Sequence, residues 1–262
     1  GTQSVTLTQS YSGTTSNYTI TDQSTKPTAV ISAKAITVSG ITASGKTYDG
    51  TDSVTLTKPS VSSLGFVARD NIAITTTGAF DTVDVGTQSV TLTQSYTGTT
   101  SNYTITDQST KPTAAISTKA ITISGITAVN KVYDGTTSIS LTVPTVSSLG
   151  FIARDSIAIT TTGAVANADV GTLKTVTLTQ SYTGTTSNYT ITNQTSSPTA
   201  NITAKPITIS GITAVNKEYD GLTSISLTKP SVTTLGFIAR DNIVIDTTGA
   251  VASADVGVTK TV

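Results

Sequence analysis

Fourteen aspartates and one glutamate, Glu218, supply every side-chain carboxylate of this 262-residue chain, and neither histidine nor cysteine occurs in it. Without histidine the commonest general base and metal ligand is missing. Without cysteine there is no disulfide, thiolate nucleophile or zinc–thiolate site. The remaining acid chemistry rests on aspartates, and nine of them fall into three recurring sets. Asp49, Asp134 and Asp220 sit within the triplets Tyr48-Asp49-Gly50, Tyr133-Asp134-Gly135 and Tyr219-Asp220-Gly221. Asp70, Asp155 and Asp241 each follow an arginine, and Asp84, Asp169 and Asp255 each precede Val-Gly. Two acids can act as a hydrolytic pair, and six to eight oxygens can hold calcium. Yet no Asp-x-Asp-x-Asp-Gly loop occurs, and no copy departs from the others so as to mark an active site. Asp-Gly is instead a turn signal, because glycine accepts positive φ and aspartate bonds back to nearby backbone. Turn capping is therefore preferred to calcium binding, and Asp155 beside Arg154 is expected in a local ion pair or loop hydrogen bond. No catalytic residue, metal ligand or cofactor is assigned, and no enzymatic activity is expected.

The elements that must position these aspartates repeat with them. Tyr48, Tyr133 and Tyr219 are 85 and 86 residues apart, and Leu64, Leu149 and Leu235 open "LGFVARD", "LGFIARD" and "LGFIARD" at the same spacings. The stretch Val90–Thr106, "VTLTQSYTGTTSNYTIT", recurs unchanged at Val176–Thr192, and from Val5 with Ser12 for threonine. One extra residue, in "GTLKTV" after Asp169-Val170, is expected in a loop, where insertion is cheapest. A period of about 85 residues is too long for a solenoid unit and suits a small domain. The "AxIS/TxK" junctions divide the chain into a C-terminal half-module at 1–32, full modules at 33–117 and 118–203, and an N-terminal part at 204–262.

Within 118–203 the apolar residues alternate. Ile121, Ile123 and Ile126 fall on one side, as do Ile139 with Leu141, Ile157 with Ile159, Val176 with Leu178, Tyr189 with Ile191, and Ala200 with Ile202. Period-two alternation predicts strands, and nothing repeats with a helical period. The opposite faces carry threonine and serine; threonine alone accounts for 61 residues. Six or seven short strands per period predict an all-β chain, a tandem array of immunoglobulin-like antiparallel β-sandwich modules, with a partly open barrel as the alternative. The residue between Lys and Tyr is Thr47, Val132 or Glu218, so that position faces solvent and its tyrosine neighbour faces inward.

Lys+Arg and Asp+Glu balance at 15 each, so no basic face for nucleic acid is expected. No apolar run reaches the roughly 18 residues of a membrane span, and no signal peptide is visible. The Asn-x-Thr triplets at Asn17, Asn102, Asn188, Asn193 and Asn201 are read as chance matches in a threonine-rich chain. O-linked sugars and a Lys–Asn isopeptide cross-link stay open.

"ITAVNKVYDGTT" at 126–137, followed by "ARD", "ADVG" and "NYTIT", resembles the YDG-type repeat domain of large bacterial surface proteins, among them filamentous-haemagglutinin-like adhesins. The likeness spans the whole period. It implies a secreted or cell-surface location, tandem arrangement and an immunoglobulin-like sandwich, and it implies no catalytic residues. "QSYTGTTSNY" stands where a Gly-Ala-rich approach to Asn-Tyr is common. The expected role is structural: a stalk, fibre, filament or sheath whose partners are neighbouring modules and, in a fibre, identical chains. The alternative is an adhesive module for glycan or ice. Methionine is absent and the repeats begin and stop mid-module, so a window on a longer array is expected; head-to-tail completion by strand addition is the second arrangement.

Overall fold

A computed structural model describes residues 1–262. The chain is all-β: every regular element is a strand or a three-residue 3-10 turn. No helix is long and apolar enough to cross a membrane.

The repeat at 33–117 shows how the pattern folds. Ala73–Phe80 pairs antiparallel with Gly86–Thr97, setting Ile74 opposite Tyr96 and Thr77 opposite Thr93. Gly86–Thr97 pairs antiparallel with Thr113–Ser117, which runs parallel to the short strand Lys46–Thr47. Separately, Thr42–Ser44 pairs with Thr55–Thr57, and Lys34–Thr37 runs parallel to Tyr103–Thr106. The parallel pairs are an addition to the antiparallel pattern expected from sequence. Each joins segments separated by most of a repeat, the long crossover that parallel pairing requires.

Ile36, Phe66, Ile72 and Tyr103 form one buried cluster, with Val61, Leu64, Ile74 and Ile105 against it. In the next repeat Ile139, Val165, Val176, Ala200 and Ile202 form another, flanked by Ala128, Tyr133, Leu141 and Leu178. The alternating residues are thus on the inside, and Thr47, Val132 and Glu218 are exposed.

The extra residue of "GTLKTV" is not in a loop. It lies inside a strand: the counterpart of Gly86–Thr97 is split into Gly171–Thr175 and Thr177–Thr183, with a register shift between Gly171 and Lys174. Leu173 takes φ 49° and its N–H donates to Asn201 Oδ1 at 2.7 Å. A β-bulge absorbs one residue if the orphaned amide finds an acceptor, and Asn201 supplies it.

The molecule forms two compact units, residues 1–119 with 187–190, and residues 120–186 with 191–262. They do not map one-to-one onto the repeats: the second holds residues of both 118–203 and 204–262, and six residues of 118–203 (118, 119 and 187–190) belong to the first. In residues 1–32 the strands Thr2–Ser4 and Thr28–Val30 pair antiparallel and no side chain is buried.

Candidate inter-repeat joint

Each Tyr-Asp-Gly triplet is held by a lysine three residues before the aspartate. Lys131 Nζ donates to Asp134 Oδ1, to the Thr136 carbonyl (both 2.7 Å) and to the Ser138 carbonyl at 2.9 Å. The same Asp134 oxygen accepts the Thr136 N–H and hydroxyl, both at 2.9 Å. This is an Asx turn with a cation plugged into it, and Gly135 closes it at φ 77°. Lys46 repeats the arrangement with Asp49 and Thr51, and Lys217 with Asp220 and Leu222.

The lysine hydrogen bond, helped by the Thr51 amide and hydroxyl, lowers the Asp49 carboxyl to about 2. Asp134 and Asp220 shift the same way for the same first cause. A depressed carboxyl contributes stability that is complete above its unfolded value of about 4 and is lost as pH falls through the folded value. The denaturation midpoint should therefore hold at neutral pH and decline between about pH 4 and pH 2. Asp49→Asn should flatten part of that decline; an unchanged acid limb in the variant would exclude the turn as its source. The half-exposed carboxylate makes the effect modest and salt-sensitive.

What the corner presents lies on its far side. The Tyr133 hydroxyl donates to Asp241 Oδ1 at 2.5 Å, across 108 residues. The Arg240 guanidinium donates to the Gly135 carbonyl. A Cβ at Gly135 would stand 2.7 Å from Ile238 Cγ2 and 3.3 Å from Arg240 Cδ. Arg240 and Asp241 belong to the 3-10 turn Ala239–Asp241, which ends on Asn242 at φ 49°. The Tyr-Asp-Gly corner of one repeat therefore seats the Ala-Arg-Asp turn of the next, and the carboxylate raises the Tyr133 phenol above its ordinary value. Tyr133→Phe should lower the unfolding midpoint by less than a β-branched side chain placed at Gly135 does, since that side chain meets Ile238 and Arg240. A midpoint equal to that of the parent would mean that the bond holds nothing.

The first unit shows the rest of the joint. Tyr48, 1% exposed, has the Tyr189 ring edge-on, centroids 5.5 Å apart at 84°. Asn188, also 1% exposed, accepts the Val85 N–H on Oδ1 and donates from Nδ2 to Asp84 Oδ1, both at 3.0 Å. A buried amide that accepts and donates across two repeats fixes their register. It also explains why residues 187–190 belong to the first unit.

Inside a repeat, the "SYTGTTSNY" loop supports the Ala-Arg-Asp turn. The Thr99 N–H donates to the Asp70 carbonyl at 2.9 Å, as Thr185 does to Asp155. The Tyr103 hydroxyl donates to Asp70 Oδ2 at 2.5 Å and accepts the Val67 N–H at 2.9 Å. A second brace is glutamine: Gln194 Oε1 accepts the Ile126 N–H at 2.8 Å while Nε2 donates to the Ile126 carbonyl at 3.0 Å, and Gln108 does the same to Ile41. Gln194→Ala leaves both backbone groups unpaired and should cost about 1–3 kcal/mol by chemical denaturation; a loss under about 0.5 kcal/mol would show that water replaces the amide.

The family model described as the YDG domain matches residues 32–111, 117–197 and 203–262. The chain belongs to the YDG-domain family. Nothing among the curated proteins or the solved structures matches it. Of the residues singled out in the sequence, the structure places the three YDG triplets in equivalent turns with different surroundings. Tyr48 is buried, Tyr133 is half-buried under Asp241, and Tyr219 is exposed. The sequence reading turned the YDG tyrosine inward and missed its partner in the next repeat. It also read the Asn188 triplet as a chance glycosylation match, whereas the side chain is buried in the joint. The signal was the pairing of Asn with Tyr before "TIT" in every copy.

Proposed function

We propose that these YDG repeats are a structural region of a secreted or cell-surface protein, a stalk or fibre of immunoglobulin-like modules with no catalytic role. The observation that supports this is the joint. Consecutive repeats exchange hydrogen bonds between side chains at Tyr133–Asp241 and Asn188–Asp84, each within one compact unit. The recurring aspartates are spent on that architecture: Asp134 on its turn, Asp241 on the preceding tyrosine and Asp84 on the following asparagine.

The test is small-angle scattering and electron microscopy of the chain beside a variant with Gly135→Val and Asn188→Ala. Extended particles whose bending increases when the joints are broken would support a spacer. Equal flexibility in both proteins would remove the mechanical reading. The adhesive alternative draws on the outward pairs Thr75/Ser95 and Thr77/Thr93. That face carries no aromatic ring, the usual platform for sugar, so the structural reading is preferred. Specific retention on a glycan array would reverse the preference.

A further inference from the structure

We propose that the repeats at 33–117 and 118–203 each bind a buried water at an inward-facing threonine–glutamine pair. Strand register sets the pair. Thr76 lies opposite Gln94 in the first of these repeats, and Thr161 lies opposite Gln180 in the second. Thr75, Thr77, Thr160 and Thr162, on either side of the two threonines, are exposed. Alternation along a strand therefore turns Thr76 and Thr161 to the interior, and Thr76 is 4% exposed.

Buried polar side chains are expected to be hydrogen-bonded. Each pair has one polar atom more than the protein satisfies. Gln94 Oε1 and Thr161 Oγ1 are both buried, and neither has a hydrogen-bond partner in the protein. The orphan falls on the glutamine in one repeat and on the threonine in the other. Gln180 is turned to the backbone of Gln194, accepting its N–H at 3.4 Å and donating to its carbonyl at 3.3 Å, which leaves Thr161 over. A water between the two side chains serves both arrangements. It donates to Gln94 Oε1 in one repeat, and it exchanges a hydrogen bond with the Thr161 hydroxyl in the other. One kind of site thus accounts for two different orphans.

The first repeat shows room for it. Thr76 lines a cavity of about 60 Å³ with Val38, Ile41, Lys58, Leu64 and Ile74. A water needs about 10–15 Å³ and two to four polar partners, whereas cavities that stay dry are apolar throughout. Lys58 Nζ donates to the Thr76 carbonyl at 2.7 Å and has protons to spare for a water. The Ile41 amide and carbonyl in the same wall are already held by Gln108. In the second repeat Val143 stands where Lys58 does and has no donor, so the water there is held by the pair and the backbone beside it.

The test is oxygen-17 relaxation dispersion of the solvent, which counts buried, slowly exchanging waters, on the 262-residue chain and its variants. Thr161→Val and Gln94→Leu should each remove one water from the count, and the double variant should remove both. Thr161→Ser keeps the hydroxyl and should keep the water. Thr161→Val should also lower the folding equilibrium constant by about three- to tenfold, because it deletes the hydrogen bonds made through that water. An unchanged count in Thr161→Val would overturn the proposal, as would loss of the water from Thr161→Ser. A Thr161→Val protein more stable than the parent would overturn it too, since valine relieves a hydroxyl that is buried without any partner. If Gln94→Leu does not fold, the two Thr161 variants decide the matter alone.

Discussion

Gly98→Ala should destabilise its repeat by about 3–5 kcal/mol, a large share of the 5–15 kcal/mol that holds a small domain together. The residue adopts φ 98°, where an L side chain is strained, and the new Cβ would stand 2.8 Å from the Asp70 carbonyl oxygen and closer still to that of Asn71. Both obstacles are backbone, so no side-chain rotation relieves them. The loop must retreat, and retreat breaks the Thr99 N–H bond to the Asp70 carbonyl. Strain alone accounts for about 1–2 kcal/mol, and displacing packed backbone with its hydrogen bond adds about 2–3 kcal/mol. Gly40→Ala is the control: φ is 83° with nothing within 4 Å. It should show the strain alone. Equal denaturation midpoints for the two variants would mean that the loop does not rest on the Ala-Arg-Asp turn.

That loop marks where the sequence stops being readable. Local rules recovered the strands because alternation has a local cause: Ile121, Ile123 and Ile126 are all within 4% exposure, as one buried face requires. The Asp-Gly turns were legible for the same reason, since the donors to Asp134 lie within three residues of it. The insertion at 171–176 was misplaced because its cost depends on a non-local fact, namely that Asn201 of the paired strand can accept the stray amide. The parallel pairs were invisible because hydrophobic alternation fixes which face of a strand is buried and says nothing of the direction of its neighbour.

The joint was hidden by a different effect. Near-identity of the copies gave every recurring residue equal weight, so Asp70, Asp155 and Asp241 looked like turn residues of single domains. In the structure equivalent carboxylates serve different levels. Asp70 takes the tyrosine of its own repeat, and Asp241 takes the tyrosine of the repeat before. Equivalent aspartates thus carry two different bonds, one within a repeat and one between repeats, which the shared sequence does not distinguish.

Gly135→Val and Gly221→Val separate the two levels. The glycines sit in equivalent turns, at φ 77° and 74°. At both, a β-branched residue is strained by about 1–3 kcal/mol, from a conformation it rarely adopts. At Gly221 nothing lies within 4 Å of the new Cβ, so that cost should stand alone. At Gly135 the Cβ meets Ile238 Cγ2 at 2.7 Å, and the valine methyls extend further into Ile238 and Arg240. Clearing them drags Arg240 from the Gly135 carbonyl and Asp241 from Tyr133. Overpacking and the loss of two charge-assisted bonds should add about 2 kcal/mol, for a total of about 3–5 kcal/mol. The excess should shrink in Gly135→Val combined with Ile238→Ala, because the truncated side chain makes room; that coupling marks direct contact. Glu218→Thr, an exposed exchange to the residue found at Thr47, should stay within about 0.5 kcal/mol. Equal losses at Gly135 and Gly221 would leave the turn as described and remove the seat it forms for the following repeat.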